Sequence, residues 1–150
     1  MRFLVVAVGR ARAGPELALW QEFSGRLTTP TRLVEVDARK PGPGLKEREA
    51  ELLLKALPDQ ALLVALDERG KSLSSETFSR TLAQWRDEGT SDIAFVIGGA
   101  DGLADPVRRR ARLLLSLGAM TWPHMLVRGL LAEQLYRAER IWAGHPYHRA

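Results

Sequence analysis

The chain has 150 residues, 45% of them hydrophobic and 27% charged, which is typical of one globular domain with its own core. It contains no cysteine, so disulfides, thiolate nucleophiles and cysteine-ligated metals are excluded. Residues 1–100 carry no net charge, whereas residues 101–150 carry the whole net charge of +4 and all three histidines. A basic end on a neutral scaffold indicates a polyanionic partner, although a solvated arginine-rich face is an equally good interpretation.

The N-terminus leads directly into a short apolar run, Phe3 to Gly9. This run is too short to span a membrane and is followed by no signal-peptide cleavage site, so we expect a cytoplasmic protein. Its richness in valine is typical of a strand that is buried on both faces of a parallel sheet.

Strands and helices alternate along the first hundred residues. After the first strand, the pattern predicts strands at Arg32–Asp37, Ala61–Leu66 and Ile93–Ile97, and helices at residues 15–27, 45–57 and 74–85. Loops are predicted at Arg39–Gly44 and Asp67–Lys71. Because the connections are too long for hairpins and suit βα crossovers, we expect one α/β domain over residues 1–150, with a mostly parallel five- to six-stranded sheet flanked by helices.

In such sheets, ligands bind where the carboxyl ends of strands open into loops. The candidate loops follow Gly9, Leu66, Ile97 and Met120. The third of these, Gly98–Gly102, has three glycines that allow a ligand to approach the backbone closely. It matches neither a dinucleotide-binding fingerprint nor a P-loop, and a tight strand-to-helix turn is the alternative interpretation.

Asp105 as a cap and Pro106 at the first helical position predict another helix. Its packing face would be formed by Val107, Ala111, Leu114 and Leu115. Arginines 108–110 and 112 would then point outward, which suits either phosphate contacts or a solvated face. Residues Ser116–Pro123 are predicted to form the fifth strand and its exit.

The last predicted helix, Met125–Trp142, is apolar on two sides. One side carries Val127, Leu131, Leu135, Ala138 and Trp142, and the other carries Leu126, Leu130 and Ile141. Gly129 would allow a close approach by a neighbouring element. A helix that is apolar over this much of its circumference is buried twice, and a second copy of the chain is the simplest second partner.

The histidines do not form a metal-ligand pattern, since His145 and His148 share their segment with neither a carboxylate nor a third histidine, and we expect no metal. His124 suits a ligand or base, or a structural role at a helix start. Residues 147–149 combine an aromatic ring, a group that titrates near neutrality and a guanidinium that fits phosphate, although such a tail is often frayed and inert. No Gly-x-Ser-x-Gly motif supports hydrolase chemistry.

Short motifs spread over the whole chain occur together in one known family. They are Leu66-Asp67 with Gly70-Lys71, Ile97–Gly99 with Asp101–Leu103, Met120-Thr121 with Pro123-His124, Leu126–Arg128, Glu133–Ala138 and His145–Arg149. By these motifs and their order, the sequence resembles the small SPOUT-class methyltransferases that modify N3 of a pseudouridine in large-subunit ribosomal RNA.

The resemblance implies features that periodicity does not give. It implies that the C-terminal part of the sheet is threaded through a loop as a trefoil knot, although knots are rare among protein folds. It also implies an obligate homodimer, S-adenosylmethionine as cofactor and an assembled ribosome as substrate. The cofactor-binding residues implied by position are Leu66, Gly99, Gly118, Ala119, Met120, Thr121, Trp122 and Pro123.

A hypothesis for catalysis follows from the resemblance. The sulfonium methyl is already activated, so the enzyme must align it with N3 and make N3 nucleophilic. Either a base removes the weakly acidic N3 proton, or positive charge stabilises the anion as it forms. We expect His148 to handle the proton and Tyr147 to stack on or orient the base. Arg128 and Arg149 would contact phosphate or developing charge, with the tail reaching the other protomer's pocket.

Three other interpretations remain. A ribosome-binding factor of the same fold that has lost catalysis would have no reason to keep the cofactor. An oxidoreductase is disfavoured because no dinucleotide fingerprint follows the first strand. A structural dimerisation module leaves the Tyr-His-Arg cluster at residues 147–149 unexplained.

Overall fold

The computed structural model describes residues 1–145 and 147, and in them strands and helices alternate. The strands are β1 (Arg2–Val8), β2 (Thr31–Val36), β3 (Leu62–Ser72), β4 (Asp92–Ile97) and β5 (Leu113–Ser116). The helices are α1 (Pro15–Ser24), α2 (Leu45–Lys55), α3 (Ser75–Asp87), α4 (Asp105–Arg110) and α5 (His124–Trp142).

Within the described residues, the strands form one sheet in the order β2-β1-β4-β3-β5, and every neighbouring pair is parallel. Helices α1, α3 and α5 cover one face, and α2 and α4 cover the other. The central strands β1 and β4 therefore bury side chains on both faces, with Phe3 and Phe95 on the α5 side, their ring centroids 5.8 Å apart, and Leu4 and Val96 on the other side. Each such buried apolar side chain contributes about 1.5–3 kcal/mol to the core. The predicted parallel α/β sheet is confirmed.

The third strand is longer than predicted. We expected it to end at Leu66 and Asp67–Lys71 to form a loop, but β3 continues to Ser72. The extension has a physical cause in its pairing with β5, whose register shifts between Leu66 and Lys71. A Cβ atom at Gly70 would lie 2.5 Å from the Leu114 backbone, so only glycine permits this close strand approach.

The helix and strand predictions after the glycine loop were wrong in their bounds. Helix α4 is capped by Ala104 rather than Asp105, and it ends at Arg110 because Ala111 takes extended backbone angles. The Arg112 amide then donates to the Leu63 carbonyl at 2.8 Å, which starts β5 beside β3. Leu114 and Leu115 are therefore strand residues, and 117–123 form a loop instead of a strand.

Helix α5 is buried on one side within the chain. Leu131, Leu135 and Ala138 contact the core, and Gly129 lies so close to α1 that a Cβ atom there would meet Leu19 at 2.5 Å. The second apolar side, at Leu126, Leu130 and Ile141, stays half-buried. Neither α5 nor any other helix among residues 1–145 is long and apolar enough to span a membrane.

Candidate functional site

A cavity of about 440 Å³ opens at the carboxyl ends of β4 and β5 and beside the middle of β3. Its wall includes Ile97 at the end of β4, Leu115 next to the end of β5, and Leu66 at the point where the register of β3 begins to shift. Its size falls in the range of sites for small molecules and cofactors, about 300–1,000 Å³. We call it the glycine-loop pocket, after the loop Gly98–Gly102 that forms one side.

The glycine loop is a tight turn that has no room for side chains at its start. The Gly102 amide donates to the Gly99 carbonyl at 3.0 Å, and Gly102 has a positive φ of 79°. A Cβ atom at Gly98 would lie 2.7 Å from the Gly102 carbonyl oxygen. The backbone of this loop is therefore the surface that a ligand in the pocket meets.

The opposite side of the pocket is the loop between β5 and α5. The Gly118 amide donates to the Ser116 hydroxyl at 3.1 Å, and that hydroxyl donates to the Gly118 carbonyl at 2.9 Å. The Thr121 hydroxyl donates to a Glu68 carboxylate oxygen at 3.1 Å, which ties the loop to β3. Met120, at the tip of this loop, is 76% exposed and therefore accessible to a ligand in the pocket.

The structure brings together most of the residues that the sequence predicted for the cofactor. The predicted residues that line the glycine-loop pocket are Leu66, Gly99, Gly118, Met120, Thr121 and Trp122. Ala119 and Pro123 belong to the same segment but do not line the cavity. Their assignment to cofactor binding stays a prediction, as does that of the lining residues.

Several charged residues that line this pocket were not among the site residues predicted from the sequence. Asp67 and Glu68 directly follow the predicted strand end at Leu66, so their position alone was a usable signal. Lys46 on α2 also lines the pocket, and no motif marked it.

Asp67 is a fixed negative charge at the pocket. Burial alone would raise the pKa of its carboxyl group. Hydrogen bonds from Arg69 and the charges of Arg108 and Arg69 outweigh burial, so the pKa is lowered. The Arg108 Nε atom donates to it at 2.7 Å.

Glu49 lies directly behind the glycine loop. Its side chain is buried, and its Oε2 atom is 3.1 Å from the position of a Cβ atom at Gly99. Burial raises the pKa of Glu49, and the negative charges of Asp101 and Asp37 raise it further against the opposing charge of Arg48. Burial and the neighbouring negative charges both disfavour the ionised form of this carboxyl group.

His124 is the first residue of α5 and lines the glycine-loop pocket. Burial lowers its pKa, and the positive charge of Arg128 lowers it further. Its imidazole is therefore held toward the neutral form, in which one nitrogen donates and the other accepts a hydrogen bond.

Arg128, predicted to contact phosphate or developing charge, is 2% exposed and has protein acceptors. Its Nη1 atom donates to Glu35 at 2.6 Å, and its Nη2 atom donates to the carbonyls of Val8 and Gly9 at 3.1 and 2.8 Å. Burial raises the pKa of Glu35, but the Arg128 and Ala11 hydrogen bonds more than offset this, so the pKa is lowered. These contacts favour a role for Arg128 in joining α5 to β1 and β2.

Tyr147, which follows α5 in the chain, packs back onto that helix rather than projecting as an open platform. Its hydroxyl donates to Glu133 at 2.9 Å, and its ring meets the Tyr136 ring edge to face with centroids 4.9 Å apart. Burial raises the pKa of Tyr147, and Glu133 raises it further. The other predicted tail residues, His148 and Arg149, lie outside the described residues.

Among residues 1–145 and 147, no group of three or more histidine, aspartate or glutamate side chains is placed to hold a metal ion.

The described chain is similar in fold to solved methyltransferases. It matches a probable methyltransferase from Bordetella pertussis with a TM-score of 0.61 and 18% identity, over 91% of this chain and 95% of the other. The SpoU methyltransferase AviRb from Streptomyces viridochromogenes, solved with AdoMet, gives 0.52 and 15% identity, over 93% of this chain and 58% of AviRb. The class that these similarities define is a methyltransferase-type α/β fold.

Sequence comparison then defines the family. A family model described as "Predicted SPOUT methyltransferase" matches residues 1–148. A "Ribosomal RNA large subunit methyltransferase H" from Rhodospirillum centenum is 64% identical over the whole of both chains. One of the same name from Paramagnetospirillum magneticum is 59% identical over 99% of each. The chain belongs to the SPOUT methyltransferase family, which confirms the predicted family and the prediction that it is an enzyme.

Proposed function

We propose that this chain transfers a methyl group from S-adenosylmethionine to large-subunit ribosomal RNA. The observation that carries the proposal is the full-length similarity, at 64% identity, to a protein named for that activity. The pocket at the carboxyl edge of the sheet supports it, because a donor bound there would lie beside the ends of β4 and β5, the middle of β3 and the start of helix α5.

The glycine-loop pocket suits the donor chemically. S-adenosylmethionine supplies, when bound, an activated sulfonium methyl group. A cavity of about 440 Å³ has room for an adenosyl group and an amino-acid tail. Leu66, Ile97 and Val127 offer apolar contacts, and the glycine backbone offers amide and carbonyl groups without side chains in the way. AviRb and a putative methyltransferase from Legionella pneumophila, which share the fold, were solved with this cofactor.

We infer further that the acceptor is N3 of a pseudouridine and that the assembled ribosome is the substrate. The resemblance in sequence motifs supports both inferences. In this account His148 handles the N3 proton, and Arg149 contacts phosphate or developing charge. Tyr147 orients the base, and its raised pKa keeps the hydroxyl a hydrogen-bond donor at neutral pH. Arg128 contributes by holding the start of α5 against β1.

We also infer a homodimer with the trefoil knot of the resemblance, acting in the cytoplasm. The half-buried second side of α5 supports the homodimer, since Leu126, Leu130 and Ile141 are apolar and are only half-buried. In a dimer, the tail of one protomer would reach the pocket of the other.

The experiment is methylation of ribosomes from a strain that lacks this modification, with radiolabelled S-adenosylmethionine and the purified chain. We expect one labelled nucleotide, mapped to N3 of a pseudouridine in large-subunit RNA. Label only in protein would overturn the proposal, and label only in free RNA would overturn the inference that the assembled ribosome is the substrate. A His148→Ala variant with wild-type rate and pH dependence would remove His148 from the mechanism.

The second candidate is a ribosome-binding dimer of this fold without catalysis. Calorimetry distinguishes the two, because a pure binder has no reason to keep affinity for S-adenosylmethionine. Heat of binding that disappears in a Gly98→Val variant would favour the enzyme.

A further inference from the structure

A second cavity of about 410 Å³ lies on the other side of the start of α5. We call it the arginine pocket. Its walls come from the loop after β1, the first turns of α1 and the start of α5, and they include Arg10, Arg12, Leu17, Trp20, Met125 and Arg128. Apolar side chains therefore form one part of the cavity and guanidinium groups another, and the exposed Glu16 carboxylate also lines it, so the exposed side chains of Arg10, Arg12 and Glu16 together carry one net positive charge.

Two of the guanidinium groups at this pocket are available to a ligand. Arg10 and Arg12 are exposed, and among the residues that the structure describes neither makes a hydrogen bond or a salt bridge. Arg128 differs, because Glu35 and two backbone carbonyls already accept from it. Exposed arginines above an apolar cavity suit a ligand that is anionic at one end and apolar at the other.

The loop that carries these arginines is held in place. The Ala11 amide donates to Glu35 Oε2 at 2.6 Å, and the same oxygen accepts from Arg128 at 2.6 Å. The loop is thereby fixed to β2 and to α5 before any ligand binds. Such preorganisation lowers the entropic cost of binding.

The two pockets are neighbours. His124 lines the glycine-loop pocket, and the next residue, Met125, lines the arginine pocket. At Gly9, a Cβ atom would lie 3.8 Å from His124 Nε2 and 2.8 Å from Met125 Cε, so both side chains converge on the end of β1. The side chains of His124 and Met125 therefore lie between a group bound in one pocket and a group bound in the other.

We propose that the arginine pocket binds one nucleotide of the substrate RNA, and this rests on the function proposed above. The nucleotide's base lies against Leu17 and Met125, and its phosphate accepts hydrogen bonds from Arg10 and Arg12. Guanidinium groups suit phosphate because they offer paired donors in one plane. This arrangement places an RNA segment next to the methyl donor without using the donor's own pocket.

The test is a double variant, Arg10→Ala with Arg12→Ala, compared with a charge-matched control, Arg32→Ala with Lys55→Ala. All four side chains are exposed, and both variants remove two positive charges. Binding to unmodified large ribosomal subunits is measured beside the methylation rate, calorimetry with S-adenosylmethionine and sedimentation. The binding readout keeps the pocket testable even if no methylation occurs.

We expect the double variant to bind large subunits at least about tenfold more weakly than the control, with a matching rise in KM. Affinity for S-adenosylmethionine should stay within about twofold of wild type. The salt slope of log affinity should fall by about 0.7–0.9 for each phosphate that the variant no longer neutralises.

Equal binding by the double variant and its control would overturn the proposal. So would a double variant that sediments as a monomer while the control is a dimer, since the pocket would then hold a second copy of the chain. Wild-type chain that binds subunits through these arginines but methylates nothing would refute the proposed function and leave the pocket's role standing.

Discussion

The two pockets at the start of α5 differ in whether backbone or side chains form their walls. The glycine-loop pocket is shaped by backbone, since a Cβ atom at Gly98 would meet the Gly102 carbonyl at 2.7 Å. The arginine pocket is shaped by side chains, two of them exposed guanidinium groups. We expect the first pocket to select its ligand mainly by the space available and the second mainly by charge. Added volume should therefore break the first pocket, and removed charge should break the second.

The largest expected effect comes from Arg128, which belongs to the wall of the arginine pocket. Arg128→Met leaves Glu35 without its ion-pair partner and leaves the carbonyls of Val8 and Gly9 without a donor. We expect the free energy of unfolding to fall by about 3 kcal/mol in denaturant titrations, because breaking a buried pair strands the remaining charge.

Arg137→Met on the same helix is the matched control. Arg137 pairs with Glu133 at i and i+4 in a partly buried position, and Glu133 keeps the Tyr147 hydroxyl as a donor when the guanidinium is removed, so the loss of Arg137 should cost less than the loss of Arg128. Equal stability of the two variants would show that the Arg128 guanidinium is not needed for folding. That result would favour the role predicted from the sequence, in which Arg128 contacts phosphate or developing charge.

The next largest effect is expected when a side chain is added at Gly98, where the glycine loop has no room for one. Gly98→Val forces the loop apart, and we expect the calorimetric Kd for S-adenosylmethionine to rise by at least about 100-fold, or about 2.7 kcal/mol. Gly102→Ala is the control in the same loop, because a Cβ atom there meets nothing within 4 Å. Its positive φ of 79° costs only about 1–2 kcal/mol. A Gly98→Val variant that binds as tightly as Gly102→Ala would refute a backbone-defined pocket.

A smaller effect is expected from Glu49, whose buried carboxyl group lies behind the glycine loop and makes stability depend on pH. Burial raises the pKa of Glu49, so the folded state binds its proton more tightly than the unfolded state does. Stability must then fall as pH rises above the unfolded pKa of about 4.5. Glu49→Gln removes this loss, and we expect the variant to be more stable than wild type at pH 7.

Glu47→Gln on the same helix should act in the opposite direction. Glu47 is exposed in the first turn of α2, where its charge interacts favourably with the helix dipole, so its loss should cost about 0.3–1 kcal/mol. Denaturant titrations from pH 4 to pH 8 would check both variants. A Glu49→Gln variant that loses stability at neutral pH would contradict the account.

The smallest effect concerns His124, between the two pockets. Burial lowers its pKa, so the unfolded state takes up the proton first as pH falls below about 6.5, and wild-type stability declines there. We expect His124→Gln to flatten this part of the profile by less than about 1 kcal/mol. Thermal unfolding at pH 5.5 and 7.5 would measure it, and an unchanged slope would show that His124 does not contribute.

The sequence predicted the parts of the fold whose signal is local. Apolar runs marked the existence of β1 and β4, and three glycines marked the loop after β4. The position of β5 was not predictable, because Leu113–Ser116 extends only through pairing with β3. Helical spacing in the same residues was an equally good local interpretation.

The residues of the candidate site likewise fall into those that have a local signal in the sequence and those that do not. Leu66, Gly99 and Met120 were found because strand ends and motifs lie close to them in sequence. The contacts of Arg128 were not predictable, since its acceptors Val8, Gly9 and Glu35 are about a hundred residues away in the chain. Arg10 and Arg12 carried no motif, and only the cavity beside them singles them out.

A crystal structure of the chain grown with S-adenosylmethionine tests most directly which of the two pockets binds the methyl donor. We predict the donor in the glycine-loop pocket, contacting the backbone of Gly99 and the loop around Met120, with the arginine pocket left open to RNA. Density for the donor in the arginine pocket, or in neither cavity at saturating concentration, would contradict the account.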